Sequence, residues 1–478
     1  MRRTKIVATL GPASRSREVL SKLIQAGVDV IRLNFSHGTA EEHEEDFFRI
    51  RSVSEELGLP VAILQDLQGP KIRLGDIEGG RLTIQNGERV LLVASDDVAR
   101  AGRLTTSYQD LPKVVAPGDP ILLDDGLIEL KVREVRGAEV ECEVICGGTV
   151  KPRKGINIPN SATTLPALTE KDERDLEAGL KLGVDFVALS FVRSAADVSQ
   201  VRERIAAHGL DTPVIAKIEK PQAVENLEAI LENCDGLMVA RGDLGVEMAP
   251  AKVPLIQKRA LKLAVQFGRV GITATQMLES MTHQPRPTRA EASDVANAIL
   301  DGTSAVMLSG ETAVGDYPVE AVRQMVRIAE WTEPAIFADR TYQVAPGGEA
   351  VSSYPLAVIH AAVLAADELD ARAIVVFTES GNTARLLSQW RPENAVFAFS
   401  YRPETVRRLA MVWGVRALQL VDRYERTRDL LRDAERILLE EKLVSEGDTV
   451  VMIAGYQMAE GAANMMKVHR VGEGIEKD

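Results

Sequence analysis

Eight short apolar runs, each followed by a helical pattern, constrain this 478-residue chain more than any other feature. Three come early: Lys5-Ile-Val-Ala-Thr-Leu10, Asp29-Val-Ile-Arg-Leu33 and Val61-Ala-Ile-Leu64. Five come later: Phe186-Val-Ala-Leu189, Val214-Ile-Ala216, Gly236-Leu-Met-Val-Ala240, Val270-Gly-Ile272 and Ala305-Val-Met-Leu308. The later runs start roughly 20–35 residues apart, the span of one strand-plus-helix unit. The helices between them open on start signals. Thr39 with Glu42, Ser194 with Asp197 and Thr288 with Glu291 fit capping boxes, and Pro221 sits where a first-turn proline belongs.

Eight βα units predict an α/β fold built on a TIM (β/α)8 barrel. A doubly wound open sheet is the competing arrangement, and the count favours the barrel. The series is broken after Gly69-Pro70. From about residue 71 to 163 the pattern is all-β: Ile128, Leu130 and Val132 alternate with charged residues, as do Val140, Cys142 and Val144. Turn pairs Gly79-Gly80, Asn86-Gly87 and Asp125-Gly126 punctuate it. A half-buried antiparallel sheet or small barrel is expected, inserted as a lid. Residues 332–353, with Pro334, Gly347-Gly348 and Ser352-Ser353, read as a linker. Beyond Tyr354, runs at Ala373–Phe377, Val396–Phe399 and Thr449–Ile453 predict another α/β unit. The expected division is therefore 1–70 and 164–334 for the catalytic barrel, 71–163 for the all-β lid, and 335–478 for a C-terminal α/β effector-binding domain. That agrees with a prior of about one domain per 150 residues.

Composition removes several classes of function. The net charge of −13 argues against a general nucleic-acid surface. No apolar run approaches the ~20 residues of a membrane span, and Met1–Leu10 lacks the apolar core of a signal peptide. Three cysteines make no disulfide framework and are expected to be reduced, buried and structural. A cytoplasmic, soluble protein without a nucleic-acid or membrane partner is expected.

In such a barrel, chemistry gathers where strands end. Strand two is followed by Arg32, Asn34, Ser36 and His37, strand three by Asp66, Lys71 and Arg73. Strand five gives Lys217 and Glu219, strand six Arg241-Gly242-Asp243, strand seven Thr273 and Thr275, and strand eight Ser309-Gly310-Glu311. Glu219 and Asp243 are carboxylates from adjacent strands that could share one Mg²⁺, which takes one or two carboxylates and fills its octahedron with waters and substrate oxygens. Arg32, Lys71, Arg73, Lys217 and Arg241 would make a positive pocket on an acidic protein, suited to phosphate and carboxylate groups. Gly242 permits close backbone approach to a ligand. A lysine beside a metal can stabilise charge developing on a phosphoryl group or an enolate. There is no Walker A sequence. These residues alone point to Mg²⁺-dependent chemistry on a small phosphorylated acid.

Longer motifs carry a resemblance. Thr4-Lys-Ile-Val-Ala-Thr-Leu-Gly-Pro12, Arg32-Leu-Asn-Phe-Ser-His-Gly38, Lys217-Ile-Glu219, Met238-Val-Ala-Arg-Gly-Asp-Leu-Gly245, Ala274-Thr-Gln-Met-Leu-Glu-Ser-Met281 and Pro287-Thr-Arg-Ala-Glu-Ala-Ser-Asp-Val-Ala-Asn297 run in the order found in pyruvate kinases. The whole chain resembles that family. The resemblance implies transfer of a phosphoryl group from phosphoenolpyruvate to ADP, giving pyruvate and ATP, in a homotetramer with a regulatory C-terminal domain. It implies Mg²⁺ (or Mn²⁺) on Glu219 and Asp243, and Lys217 against the phosphoryl group and enolate. Arg32 would hold the phosphate. The Gly242 and Asp243 amides and Thr275 would take the carboxylate. Arg73, Asn34 and His37 would meet the nucleotide, and a second Mg²⁺ would arrive with ADP. A proton relay near Thr275 and Ser309 would complete pyruvate.

Two departures from the family pattern matter. Potassium-requiring members carry Glu where this chain has Lys71 and Thr where it has Leu67, while Asn34, Ser36 and Asp66 match the remaining potassium ligands. The Lys71 ammonium is expected to replace K⁺, so that K⁺ is not required. In the C-terminal domain, Thr378, Ser380, Asn382 and Thr383 match the family's effector phosphate loop, and a helix start there would favour a phosphate. Glu379 stands where some fructose-1,6-bisphosphate-activated relatives have Lys, and Gly455-Tyr-Gln-Met-Ala-Glu-Gly461 lacks an arginine often found there. AMP or a sugar monophosphate is the expected effector. The chain is also expected to lack the extra C-terminal domain of some bacterial relatives. Two other readings remain at this stage: a metal-dependent lyase or aldolase of the phosphoenolpyruvate/pyruvate barrel group, and a catalytically dead effector-binding relative. The intact Lys217, Glu219, Asp243 and Thr275 argue against the second.

Overall fold

The computed structural model describes residues 2–159, 165–339, 354–424, 426–455 and 463–473. Its centre is a closed, all-parallel barrel of eight strands: β1 (Lys5–Thr9), β2 (Val30–Asn34), β3 (Ala62–Asp66), β4 (Phe186–Leu189), β5 (Val214–Ile218), β6 (Gly236–Ala240), β7 (Val270–Ala274) and β8 (Ala305–Leu308). Each pairs with its sequence neighbour, and β1 closes the ring on β8 with Lys5 opposite Ala305. The strands are short and almost wholly apolar because both faces are covered, as parallel sheets require. Outward residues such as Ile6, Ile31, Ile63 and Leu189 meet the surrounding helices. Inward residues such as Val7, Leu64, Met238 and Met307 fill the interior. The helix starts form as expected: Thr39–Glu42, Ser194–Asp197 and Thr288–Glu291 are all capping boxes, and Pro221 begins its helix.

The segment between β3 and β4 folds separately around its own core of Ile84, Leu92, Leu104, Leu130, Val132 and Val140. Six strands form one sheet in the order Ile156–Asn157, Pro120–Leu123, Ile128–Arg136, Glu139–Cys146, Arg89–Ala94 and Arg103–Thr106. It is antiparallel except where the last two strands pair in parallel. The expected 332–353 linker is corrected at its start. Helix Pro318–Ala338 runs through Pro334; a proline removes one donor there but does not stop the helix, whose Ile328, Ala329, Glu333 and Ile336 stay buried. The boundary residues 160–164 and the remainder of that linker, 340–353, lie outside the described residues.

The C-terminal unit is a five-stranded sheet, four strands parallel and the last, Ala463–Arg470, antiparallel. It covers the barrel's N-terminal mouth. Ala410 and Met411 pack among the inward residues of the barrel. Arg391, fully buried, donates to the carbonyls of Gly302 (2.6 Å) and Thr303 (3.0 Å) just before β8. Lys5 Nζ donates to the Val415 carbonyl at 2.8 Å. The opposite mouth faces the inserted sheet, whose Asp125 lines the same cleft as Gly242 and Asp243.

Candidate active site

The open rim collects polar side chains because each barrel strand turns from apolar to polar as it leaves the core. At its centre is Lys217, on β5. Its ammonium lies 3.0 Å from Glu219 Oε1 and 3.2 Å from Asp66 Oδ1, and donates to Ser190 Oγ at 2.7 Å. Arg32, on β2, reaches the other Asp66 oxygen through Nε at 2.7 Å and donates to Thr9 Oγ1 at 3.1 Å. Burial opposes charge on Lys217, but Asp66 and Glu219 outweigh it and raise its pKa, so the lysine is a fixed cation. Burial likewise opposes charge on Asp66, and Lys217 with Arg32 still holds that carboxyl below its usual range.

Glu219 is held differently. Its Oε2 accepts the Phe191 amide at 2.7 Å, whereas Oε1 faces the Lys217 ammonium but has no hydrogen bond of acceptable geometry. Burial raises its pKa, Lys217 opposes this, and the nearby Asp243 charge adds to it. A buried carboxylate oxygen without a hydrogen bond, close to a second carboxylate, fits a divalent cation. Among the described residues no cluster of three or more His, Cys, Asp or Glu forms a closed cage. A two-carboxylate site that leaves positions for water and substrate is the magnesium pattern rather than the zinc pattern.

On β6 and β7, Gly242 and Thr275 meet directly. The Gly242 amide donates to Thr275 Oγ1 at 2.8 Å, and that hydroxyl donates to the Ala274 carbonyl at 2.6 Å. Thr275 and Gln276 both have positive φ, 69° and 53°, a cost that concentrates at functional sites. Arg241 does not join the expected positive pocket. Its guanidinium is consumed by Asp294 (2.8 Å) and the carbonyls of Thr275 (2.7 Å) and Ala274 (3.3 Å), so it ties the exits of β6 and β7 together. Buried Glu311 does the same for β7 and β8 by accepting the amides of Leu278 and Ser309. The Ser309 hydroxyl is buried without a partner. Lys71, Gly242, Asp243, Thr275 and Ser309 line one cleft of about 1050 Å³.

The remaining expected residues lie around this centre. Asn34 Oδ1 accepts the Ser36 amide at 3.2 Å. His37 is partly buried, which lowers its pKa, and the charges of Arg73, Arg32 and Lys71 lower it further. Arg73 donates to the lid's Arg153 carbonyl at 3.1 Å. Leu67 points into the core and offers only its carbonyl, which takes the Ser190 hydroxyl at 2.7 Å. Ser190 and Phe191, which orient Lys217 and Glu219, were not among the sequence candidates. They follow β4 directly, so the polar exit of that strand is the signal that points to them. In the C-terminal domain, Thr378 Oγ1 accepts the Gly381 amide (2.9 Å) and Asn382 Oδ1 accepts from Arg385 (2.6 Å). Glu379 accepts from Arg402 at 2.7 Å and from the Tyr401 hydroxyl. Of Gly455–Gly461, residues 456–461 lie outside the described residues. The cysteines are corrected in part: Cys142 and Cys234 are buried, but Cys146, at a strand end, is exposed.

A closed (β/α)8 barrel with a cation–carboxylate cluster at its C-terminal rim, roofed by an inserted β domain, is the architecture of a barrel enzyme. Residues 1–322 match the family model for the pyruvate kinase barrel domain, and residues 356–469 match that for the pyruvate kinase alpha/beta domain. Pyruvate kinases from Staphylococcus aureus strains MRSA252 and USA300 are each 45% identical over 483 aligned positions, covering 99% of this chain and 81% of the relative. A solved pyruvate kinase from Cryptosporidium parvum superposes with a TM-score of 0.90 at 36% identity, covering 98% of this chain and 96% of that one. The chain belongs to the pyruvate kinase family and is a phosphotransferase.

Proposed function

We propose that the chain catalyses Mg²⁺-dependent phosphoryl transfer from phosphoenolpyruvate to ADP, giving pyruvate and ATP as the last step of glycolysis. The observation that carries this is the Lys217 ammonium, fixed between Asp66, Glu219 and Ser190 beside the Gly242–Thr275 pair. Glu219 and Asp243 would hold the divalent cation, Mg²⁺ or Mn²⁺, which when bound polarises substrate oxygens as a Lewis acid. Lys217 supplies a permanent positive charge where negative charge builds on the transferring group and the enolate. Arg32, oriented by Asp66 and Thr9, binds the phosphate. The Gly242 and Asp243 amides and the Thr275 hydroxyl receive the substrate carboxylate, for which the Gly242–Thr275 hydrogen bond must open. Arg73, Asn34 and His37 meet the nucleotide, with a second Mg²⁺ arriving on ADP. The lid closes to keep water from capturing the phosphoryl group. The last proton reaches the enolate through groups near Thr275 and Ser309.

The three units are assigned as residues 1–70 with 164–334, 71–163 and 335–478. Lys71 replaces a monovalent cation. Its side chain lies along Gly155 of the lid, where an added Cβ would come within 3.1 Å of its Cε, and it lines the main cleft. No ion-pair partner is found for its ammonium among the described residues. Thr378, Ser380, Asn382 and Thr383 form the effector loop, and the Glu379–Arg402 pair beside it favours AMP or a sugar monophosphate over a bisphosphate. The enzyme works as a cytoplasmic homotetramer; no described helix is long and apolar enough to cross a membrane.

The experiment is pyruvate formation from phosphoenolpyruvate and ADP with Mg²⁺, in buffer free of sodium and potassium, then with KCl added. Activity at the first step supports both the reaction and the role of Lys71. Activity only after KCl keeps the reaction and removes the Lys71 role. Silence in both, with AMP and glucose 6-phosphate also present, overturns the reaction.

A further inference from the structure

The chain passes between barrel and lid twice, and both passages meet the same few barrel residues. The outgoing passage is Gly69-Pro70-Lys71. Gly69 has φ +69°, its amide donates to Asp172 at 3.0 Å, and a Cβ there would come within 2.8 Å of the Phe191 ring. The returning passage begins at strand Ile156–Asn157, hydrogen-bonded within the lid to Pro120–Leu123. Between the two is a cavity of about 30 Å³, room for one or two waters, whose walls include Pro70, Lys71, Asn157, Phe191, Lys220 and Glu247.

One buried carboxylate joins these parts. Glu247 Oε1 accepts from Lys220 Nζ at 2.7 Å and from Asn157 Nδ2 at 2.8 Å. The Glu247 side chain is 1% exposed and Lys220 15%. Lys220 immediately follows Glu219 and lies over the Phe191 ring, 5.7 Å from its centroid. Phe191, at the strained φ of +55°, gives its amide to Glu219. Glu247 is also the last residue of helix Arg241–Glu247, whose first turn carries Gly242 and Asp243. Asn157 is thus the lid's side-chain bond to a carboxylate shared by two of the elements that carry the catalytic groups.

We propose that the Asn157–Glu247–Lys220 cluster is a latch at the lid hinge, with Glu247 and Asn157 as positioning residues that set the lid angle for phosphoryl transfer. The Lys220–Glu247 pair stays with the barrel. The Asn157 bond moves with the lid, so it forms or breaks as the lid swings. Glu247 never touches substrate. It acts by holding the lid's return strand against the elements that carry Glu219 and Asp243. This rests on the pyruvate kinase reading, because it assumes a reaction that runs under a closed lid.

The test uses the full-length enzyme and Asn157→Leu, which keeps the volume but cannot donate. Glu247→Gln, which keeps an acceptor oxygen for Asn157, is the conservative control. Small-angle X-ray scattering with saturating Mg²⁺ and ADP reads the lid angle without turnover. Steady-state kinetics and a thermal melt accompany it. The latch predicts a larger radius of gyration for Asn157→Leu than for wild type, an ADP KM raised at least threefold and a phosphoenolpyruvate KM within twofold. It also predicts a melting temperature within a few degrees of wild type. Glu247→Gln should retain wild-type scattering. Unchanged scattering and ADP KM in Asn157→Leu overturn the proposal, as does a drop in melting temperature as the only effect. A wild-type enzyme that makes no pyruvate sinks the reaction instead, and the scattering comparison then still decides the latch.

Discussion

Arg407 of the C-terminal unit donates through Nε to Asp185 Oδ1 at 2.8 Å, and Asp185 stands at the foot of β4, the strand that leads into Ser190 and Phe191. The other oxygen of the same carboxylate takes Arg51 (2.7 Å) and the Ile63 amide of β3 (2.8 Å). One side chain therefore ties the C-terminal unit to two barrel strands whose upper ends carry Asp66, Ser190 and Phe191. The short helix that supplies Arg407 also touches the expected effector loop, where Thr405 Oγ1 donates to the Glu379 carbonyl at 2.6 Å.

The first prediction follows from burial. Asp185 is 1% exposed, against 15% for Arg51 and 27% for Arg407. Its removal takes the carboxylate from two guanidinium groups and the acceptor from the Ile63 amide, although Arg51 keeps the Val61 and Gly183 carbonyls. Breaking a buried pair from one side costs about 3–5 kcal/mol, so Asp185→Ala should lose that much stability in a denaturant melt. Arg407→Ala, on the more exposed side, should lose clearly less. A loss below about 1 kcal/mol for Asp185→Ala would show that the barrel floor rearranges to solvate the arginines.

Thiol chemistry gives the second. Burial pushes the Cys142 and Cys234 thiols up to about 12, whereas Cys146 is exposed. A thiol gains its reactive form as pH rises through its pKa, so at pH 8 the buried pair are thiolate to a fraction on the order of 10⁻⁴. A disulfide reagent at pH 8 should titrate one thiol quickly in the native protein and three in guanidinium. Rapid reaction of a second native thiol would mean that the strand holding Cys142 or the helix end at Cys234 opens locally.

Much of this was readable before the fold was known, and the reasons are specific. β4, β6 and β8 occupy the spans of their apolar runs, because a strand buried on both faces must be continuously apolar. β2, β3, β5 and β7 extend one or two residues further, taking in polar groups that make the site: β2 reaches Asn34, β3 reaches Asp66 and β5 includes Lys217. Reading the residue after each run found Lys217, Glu219 and Asp243, and applied to β4 it would have found Ser190. Arg241 shows the limit. Its charge suggests substrate binding, but only geometry reveals that Asp294 and the carbonyls of Ala274, Thr275 and Gln276 already consume it. The hinge latch was also hidden, because Asn157 and Glu247 lie 90 residues apart and neither follows a barrel run.

Lys217 supports the third prediction. It is the only side chain at the rim that meets Asp66, Glu219 and Ser190 together among the described residues. Replacing a donor that acts mainly in the transition state costs on the order of 10³ in turnover. Lys217→Ala should therefore fall by about that factor in kcat, with phosphoenolpyruvate binding, followed by calorimetry with Mg²⁺ present, largely kept because Arg32 remains. Unchanged turnover would remove Lys217 from the mechanism. Weakened phosphoenolpyruvate binding with kcat unchanged would make it a ground-state contact.

Potassium supplies the fourth. Asp66 and Glu219 together balance Arg32 and Lys217, leaving the Lys71 ammonium as a further positive charge on the cleft wall. A fixed ammonium and a bound monovalent cation supply the same charge, but only the second depends on salt. Wild-type turnover in potassium-free buffer should therefore rise less than twofold when KCl is added. In Lys71→Ala the charge is gone, and turnover should drop at least tenfold and recover in part with K⁺. Because general ionic strength also screens surface charge, the control is tetramethylammonium chloride at the same concentration, which is too large to fill a dehydrated cation site. Recovery with both salts would assign the effect to screening. A wild-type enzyme stimulated severalfold by K⁺ alone would place the monovalent-cation site elsewhere and leave Lys71 as a surface residue of the hinge.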